Sequence, residues 1–325
     1  MDGVFSKRLF LALCLHACSA GAALAQDKFP GKPVTLVVPQ SVGGANDAIA
    51  RVLAQKLGEL SGQSFIVENR PGAGGNIGTA YAAKMRPDGY TLLMTADSAY
   101  VINPSLYANT GFDPLKDFEP VATAATAGYV LVANNNFPPN NMAELIALAK
   151  QQPGKIMIGS AGNGTVNHLV GEMLNKAAGI DLVHVPYKGA SAAVTDLIGG
   201  QVQVSVQSLP SSIGFIRSGR IKVLGIVNEK RLAALPNASP IQETVPGLSV
   251  TPWYGVFAPA GTSRQVISQL QALISQALES VDVREKLASL GAEPFKLSGD
   301  KFSALIRSEL PRWAKAVRDS GASID

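Results

Sequence analysis

Two loops of small and polar residues contain the groups that could bind a small anion. The first, residues 40–47, follows the apolar segment Val34–Val38 and precedes a stretch with helical periodicity. Glycine lets backbone N–H groups approach a ligand closely, and a helix N-terminus carries a partial positive charge that favours anions. In open parallel sheets, ligands bind at this carboxyl edge of the strands. The sequence therefore predicts a ligand loop here, with a plain turn capped by Asn46 or Asp47 as the alternative.

The second loop, residues 160–165, has the same form in the second half of the chain. It follows the apolar segment 155–158, and Thr165 can cap the helix predicted after it. A charge-assisted hydrogen bond contributes roughly 1.5–3 kcal/mol, and micromolar binding needs about 8 kcal/mol. About four or five such bonds from the two loops could therefore hold a carboxylate without a buried arginine. On the residues alone, two ordinary turns remain the alternative.

Catalytic, metal-binding and nucleotide-binding chemistry has little support in the sequence. The chain has two cysteines and three histidines, and neither His168 nor His184 belongs to an H-E-x-x-H or G-x-S-x-G pattern. The glycine-rich segment 71–78 resembles a dinucleotide fingerprint, but Ile77 stands where its third glycine belongs. We therefore expect no cofactor, no metal ion and no catalytic residue, and a structural or ligand-orienting role for His168.

Short apolar strands alternate with helical segments, which is the pattern of βαβ units and a mostly parallel sheet. The pattern runs from residue 34 to residue 94 and restarts at residue 129. A loop-rich stretch at 231–250 precedes one more strand at 253–258. Three helical segments end the chain, and Pro311 is expected to kink or break the last of them. A length of 325 residues and a hydrophobic content of 46% fit two α/β domains with real cores.

Charge and the N-terminus bear on partners and compartment. The net charge of +4 is small, and basic residues are scattered among acidic ones, so we expect no nucleic-acid partner. Residues 1–25 have the form of a signal peptide, with Lys7 and Arg8 before a short apolar core and cleavage after Ala25. We expect an exported, periplasmic protein, with lipoprotein processing at Cys18 as a lesser alternative.

Several segments together resemble one protein family over essentially the whole chain after residue 25. They include VVPQSVGGANDAIAR (37–51), VENRPGAGGNIGTAYAAKMRPDGYTLL (67–93), IGSAGNGTVNHLVGEML (158–174) and HVPYKGASAAVTDLIGGQV (184–202). The family is the periplasmic solute-binding proteins of tripartite tricarboxylate transporters, the Bug family. The resemblance implies a type II periplasmic-binding fold, in which two α/β lobes joined by a two-strand hinge enclose a ligand cleft. The implied lobes are 26–126 with 254–325, and 127–253.

The resemblance also implies a ligand and its contacts. The expected function is capture of a small di-, tri- or aromatic carboxylate by lobe closure and delivery to a membrane permease, with the protein as a monomer. The implied ligand-binding residues are Gln40, Ser41, Gly43, Gly44, Asn46, Asp47, Thr95, Ala96, Ser98, Ser160, Ala161, Asn163, Thr165, His168, Tyr187 and Gln207. Relatives often have an aromatic residue at the position of Gln40, and many have an aspartate suited to a ligand amine at the position of Gln207. A carboxylate without an amine is therefore favoured.

Two rival functions stay open at this point. One is a sensory protein that binds the same ligand and signals to a kinase, which sequence cannot separate from an uptake receptor. The other is a secreted α/β enzyme, which the small number of histidines disfavours.

Overall fold

The computed structural model describes residues 29–320, which form an α/β protein built on two β-sheets. The strands are β1 (Val34–Val38), β2 (Phe65–Asn69), β3 (Thr91–Ala96), β4 (Phe118–Ala127), β5 (Tyr129–Asn134), β6 (Ile156–Ser160), β7 (Leu182–Pro186), β8 (Val204–Ser208), β9 (Ile221–Ile226), β10 (Trp253–Pro259) and β11 (Ala292–Pro294). The helices are α1 (Ala45–Ser61), α2 (Asn76–Ala83), α3 (Asn103–Leu106), α4 (Met142–Gln151), α5 (Val166–Ala178), α6 (Ala190–Ile198), α7 (Leu209–Arg217), α8 (Arg264–Glu279), α9 (Val281–Ser289) and α10 (Gly299–Ser320).

The predicted signal peptide 1–25, its cleavage site after Ala25 and Cys18 lie outside the described residues. Between residues 29 and 320, no helix combines the length and the apolar character that crossing a bilayer requires.

The first sheet has the strand order β11-β4-β10-β3-β1-β2. Strand β1 lies between β2 and β3 and is parallel to both, whereas β10 is antiparallel to β3 and β4. Every residue of β1 except Thr35 is buried, as its nearly all-apolar sequence predicts for a central strand covered on both faces.

The second sheet has the strand order β7-β6-β8-β5-β9. Strand β6 is parallel to β7 and β8, whereas β5 is antiparallel to β8 and β9. The expectation of mostly parallel strands is met in both sheets, but β10 in the first sheet and β5 in the second run antiparallel to both of their neighbours. Apolar runs reveal a buried strand but not its direction, and β5 and β10 are the strands that follow the two passages of the chain between the sheets.

These two passages lie side by side. Gly128 alone separates β4 from β5, and the chain returns from β9 through residues 227–252 into β10. Trp253 pairs with Thr126, and the Thr126 hydroxyl donates to the carbonyl of Pro252 at 2.8 Å. The two segments that join the sheets are thus hydrogen-bonded to each other, which is the geometry of a two-strand hinge.

Aromatic side chains fill the core between the first sheet and α10. Tyr100 stacks on Phe257 with ring centroids 4.0 Å apart, and Phe302 packs against the same ring. Helix α10 continues through Pro311, so the expected break does not occur. Pro311 has no N–H and so cannot donate a hydrogen bond to the preceding turn. Trp313 Nε1 donates to Glu309 at 2.7 Å across the proline, and this side-chain bond stabilises the helix there.

Candidate ligand-binding site

A cavity of about 380 Å³ lies where loops from the carboxyl ends of both sheets meet. Ten of the sixteen predicted site residues line it: Gln40, Ser41, Gly44, Asn46, Ala96, Ser98, Ala161, Asn163, Thr165 and Tyr187. The six residues from Gln40 to Ser98 lie in or after strands of the first sheet. The four from Ala161 to Tyr187 follow strands of the second sheet. The two loops singled out from sequence therefore face each other across one cavity.

The first loop is held by a buried carboxylate. Asp47 is 3% exposed and accepts hydrogen bonds from the Gly43 amide at 2.9 Å and from Asn69 Nδ2 at 3.0 Å. It also forms an ion pair with Arg51 at 2.9 Å. Burial opposes ionisation of Asp47, but the bonds from Arg51, Gly43 and Asn69 outweigh it and hold the pKa of this carboxyl below its usual value. Asp47 thus shapes the loop from behind and does not line the cavity.

Asn46 presents an unpaired acceptor to the cavity. Its Nδ2 donates to Gln40 Oε1 and to the Met94 carbonyl at 2.7 Å. A carbonyl can only accept, so the Met94 contact fixes which side of the amide is Nδ2. Asn46 Oδ1 then has no partner among the described residues, although the side chain is 2% exposed. A ligand or a water molecule that donates a hydrogen bond can satisfy it.

Four helices begin at the cavity wall. Helices α1, α5, α6 and α7 start after Gly44, Thr165, Gly189 and Ser208, and all four of these residues line the cavity. No side chain caps α1 or α6, so the first N–H groups of these two helices are left for other partners. In α7 the Leu209 amide donates to the Gly128 carbonyl and Pro210 has no N–H, so this helix brings its dipole to the cavity but not its first amides. The positive ends of four helix dipoles therefore surround a cavity whose described lining includes one charged side chain, the exposed Lys188.

The second loop is arranged by its own hydrogen bonds. Thr165 Oγ1 donates to the Gly162 carbonyl at 2.7 Å and accepts from the His168 amide at 3.4 Å, so it caps α5 as predicted. The Gly162 amide donates to Ser160 Oγ at 3.2 Å, and the Gly164 amide donates to His168 Nδ1 at 3.3 Å. The loop is thereby held with Ala161, Gly162 and Asn163 turned to the cavity.

Six predicted site residues lie behind the cavity wall rather than on it: Gly43, Asp47, Thr95, Ser160, His168 and Gln207. Thr95 in β3 and Gln207 in β8 are fully buried and do not line the cavity. Gln207 Nε2 donates to Ser205 Oγ at 2.8 Å, which ties it to its own strand. Successive side chains of a strand lie on opposite faces of the sheet, so a site prediction that is wrong by one residue selects a side chain on the face away from the cavity.

Sequence reasoning missed several lining residues. Most of the glycine-rich segment, residues 71–75, lines the cavity, and a Cβ on Gly74 would come within 2.7 Å of the Asn163 carbonyl. The signal was present, because this segment also follows a strand and precedes a helix. Tyr107, Tyr129 and Tyr254 line the cavity too, and no spacing in the sequence points to them.

Two of these tyrosines come from the segments that join the sheets. Tyr129 begins β5 and Tyr254 lies in β10, and both are buried. Burial raises the pKa of each phenol well above its usual value, so both stay protonated. The two phenol hydroxyls interact with each other, and this contact is one of the smaller influences on both pKa values. The cavity lining next to the hinge therefore includes two uncharged phenols.

The fold and the cavity define a class, the two-lobed α/β solute-binding proteins with a cleft between the sheets. Within that class, a family model for the tripartite tricarboxylate transporter family receptor matches residues 49–322. The chain is 38% identical over 315 residues to a UPF0065 protein from the tcbD-tcbE intergenic region of Pseudomonas sp., with 96% of this chain and 94% of that protein covered. It is 35% identical over 321 residues to protein BugT of Bordetella pertussis, with 98% of each covered. The chain belongs to this receptor family, as the sequence motifs predict.

Solved structures agree with this assignment. Rpa4515 of R. palustris with adipate superposes with a TM-score of 0.88 at 34% identity, covering 91% of this chain and 99% of that one. Periplasmic binding protein BugD gives 0.87 at 34% identity, covering 91% and 99%. MatC from Rhodopseudomonas palustris with bound malate gives 0.82 at 30% identity, covering 89% and 100%. The predicted fold class is confirmed, and the family is one of solute-binding receptors rather than enzymes.

Proposed function

We propose that this protein is a periplasmic receptor that captures a small carboxylate in the cavity and delivers it to a tripartite tricarboxylate membrane transporter. The observation that carries the proposal is the convergence of four helix N-termini on a cavity with almost no charged lining. Backbone N–H groups and helix dipoles in a water-poor site bind an anion without a buried cation. Adipate in Rpa4515 and malate in MatC support a dicarboxylate as the class of ligand.

The proposal also covers the two lobes, the export of the protein, its oligomeric state and its site residues. Residues 26–126 with 254–325 form one lobe and 127–253 the other, and the lobes close on the ligand about the paired segments at Thr126 and Trp253. The receptor is exported with cleavage after Ala25 and acts as a monomer. The sixteen residues predicted from sequence divide into ten that contact ligand directly and six that hold those ten in place.

The test is binding of adipate and malate to the mature protein, residues 26–325, by isothermal titration calorimetry. We expect binding of at least one of the two, and none of the uncharged diamide of adipic acid, because only an anion benefits from the helix ends. Equal affinity for the diamide, or hydrolysis or other turnover of a bound acid, would contradict the proposal.

Thr165→Ala tests the second loop, with Ser263→Ala as its matched control. Each substitution removes a hydroxyl that caps a helix, but Ser263 caps α8, far along the chain from the cavity loops. Loss of either cap costs about 1 kcal/mol of stability. We expect Thr165→Ala alone to weaken carboxylate binding, by about tenfold. Equal affinities for the two variants in calorimetry would mean that the 160–165 loop is an ordinary turn.

A further inference from the structure

Two histidines stack directly behind the second loop. His168 lies in the first turn of α5 and is 2% exposed, and His184 lies in the middle of β7. Their ring centroids are 4.1 Å apart and the ring planes differ by 17°. Neither ring lines the cavity, and the binding proposal above gives neither a direct contact with ligand.

The hydrogen bonds identify the protonation state of His168. The Gly164 amide donates to His168 Nδ1, so this nitrogen must carry a lone pair. The ring proton then sits on Nε2, which lies 3.8 Å from Glu172 Oε1. A second ring proton, on Nδ1, would make Nδ1 a donor facing the Gly164 N–H, and the hydrogen bond to the loop would be lost.

His184 holds the other end of the loop. Ser160 Oγ accepts from the Gly162 amide and lies 2.7 Å from His184 Nε2. Ser160 is 1% exposed, and within the described residues its hydroxyl proton has no other acceptor. The hydroxyl therefore donates to Nε2, and His184 carries its proton on Nδ1.

Both histidines thus serve the same loop as neutral acceptors. Through them the Gly162 and Gly164 amides are fixed, and between these glycines lies Asn163, whose carbonyl accepts from Tyr107 OH across the cavity at 2.9 Å. We propose that His168 and His184 are positioning residues that keep the 160–165 loop in its binding shape by accepting its hydrogen bonds, so that ligand affinity falls when either ring is protonated. This inference rests on the proposed function.

The surroundings favour the neutral rings at neutral pH. Burial lowers the pKa of His168, and burial together with repulsion from His168 lowers the pKa of His184 to about 4. Burial and repulsion from Asp181 raise the pKa of Glu172. As pH falls, the Glu172 carboxylate therefore becomes neutral and stabilises a protonated His168 less. Strands β6 and β8 bring no titratable side chain. Helix α10 packs on α5, and its buried carboxylate, Glu309, pairs with Arg312.

A bound metal ion is a less suitable explanation of the same cluster. Donor atoms of His168, Glu172 and His184 lie within 4.8 Å of one another. Imidazole lone pairs lie in the ring plane, and two nearly parallel planes cannot both contain one ion between them. The ring arrangement therefore suits hydrogen bonds to the loop better than shared coordination.

The first test compares the pH dependence of binding in matched variants, with adipate and malate as probes. In the double variant His168→Asn with His184→Gln, amide oxygens replace Nδ1 and Nε2 as acceptors but do not titrate. We expect its affinity at pH 7 to lie within about threefold of wild type, whereas His184→Phe, which keeps a stacked ring but no acceptor, binds about tenfold more weakly. The ratio of wild-type to double-variant affinity falls about twofold by pH 4, where His184 is half protonated.

Protonation of the ligand cancels in that ratio, because both proteins meet the same ligand. A ratio that stays constant from pH 7 to pH 4 would overturn the proposal. So would a tenfold loss of wild-type affinity at pH 7 in 1,10-phenanthroline, an uncharged chelator that does not compete for a carboxylate site, because that loss would identify the cluster as a metal site.

A second test needs no ligand, so it separates failure of this proposal from failure of the proposed function. After residue 25 the chain has only His168 and His184, so ¹⁵N-histidine labelling gives two imidazole spin systems. At pH 7 we expect two neutral rings of opposite tautomer, with the proton on Nε2 of His168 and on Nδ1 of His184. A charged ring at pH 7, or the same tautomer in both, would refute the inference whether or not a carboxylate binds.

Discussion

Asp97 is an aspartate whose burial determines its protonation state. It follows β3, immediately before Ser98 on the cavity wall, and is 1% exposed. Oδ1 accepts from the Ser98 amide at 2.7 Å, and the Trp253 amide also interacts with the carboxyl group. Burial, with a smaller contribution from Glu309, raises its pKa to about 8. The side chain next to the anion site is therefore mostly uncharged at neutral pH.

This pKa makes the free energy of unfolding depend on pH. Between the usual value of 3.8 and about 8, folded Asp97 binds a proton that the unfolded chain releases. Stability from this group is thus complete below pH 3.8 and is lost as pH rises through 8. Asp97→Asn keeps the Oδ1 acceptor and cannot ionise. We expect its melting temperature to exceed that of wild type by about 2 °C or more at pH 8.5, and the difference to shrink towards pH 5.

Asp47→Asn is the control of opposite sign. The pKa of Asp47 is lowered, so its contribution is present above pH 3.8 and is lost on acidification. Thermal melts should show Asp47→Asn destabilised at pH 7 and similar to wild type near pH 2. If Asp97→Asn is instead less stable than wild type at pH 8.5, the carboxylate is charged and paired in solution.

Single residues also show where sequence reasoning stops. Glycine and polar residues between a strand and a helix predict which loops line the cavity, and Gln40, Asn46 and Thr165 do so. The direction of one side chain depends on contacts far along the chain, so Gln207 was predicted at the site but bonds to Ser205 behind it. Tyr254 reaches the cavity only because β10 enters the first sheet from the second half of the chain.

At the scale of elements, the loops of the two sheets touch across the cavity. Ser41 Oγ donates to the Lys188 carbonyl at 2.8 Å, and Tyr107 OH donates to the Asn163 carbonyl at 2.9 Å. Gly164 lies so close to the first sheet that a Cβ on it would come within 2.7 Å of Asn103 Oδ1. These contacts join loops from different sheets, so we expect them to break if the proposed opening of the cleft separates the sheets.

Tyr107→Phe should therefore shorten the residence time of the ligand. It removes one bond between the loops, worth about 0.5–1.5 kcal/mol, which corresponds to a rise of roughly two- to tenfold in the dissociation rate. Stopped-flow displacement of a bound dicarboxylate measures that rate. Tyr81→Phe, which removes a phenol hydroxyl from α2 away from the cavity, is the matched control. Equal dissociation rates for the two variants would show that the Tyr107 bond does not hold the cleft closed.

Local pattern predicted the elements better than their arrangement. The apolar run of β1 and the capped start of α5 at Thr165 are encoded by neighbouring residues, and both are present. The direction of β5 and β10, and the passage of α10 through Pro311, depend on packing with residues far away along the chain, such as Ser208 for Tyr129 and Thr126 for Trp253. Such contacts leave no periodicity in the sequence.

At the scale of the whole molecule, the net charge is small, and helix dipoles supply the attraction for an anion at the site. The chain has a net charge of +4, and Lys188, the one charged residue among the described lining, is exposed. Four helix N-termini supply the positive potential, and it acts over short range inside the cavity. Attraction of the ligand over long distances should consequently be weak.

Salt dependence of binding separates these two sources of attraction. Dissolved ions screen exposed charges beyond about 10 Å at 0.1 M, but they screen contacts inside a closed cavity much less. We therefore expect the dissociation constant for a dicarboxylate to rise by less than about threefold from about 20 mM to about 200 mM sodium chloride. Lys188→Gln should remove most of that small rise, because the Lys188 ammonium is the exposed cation at the cavity. A tenfold rise in calorimetry, unchanged by Lys188→Gln, would mean that the ligand is held by the field of distant surface charges and not by the helix ends.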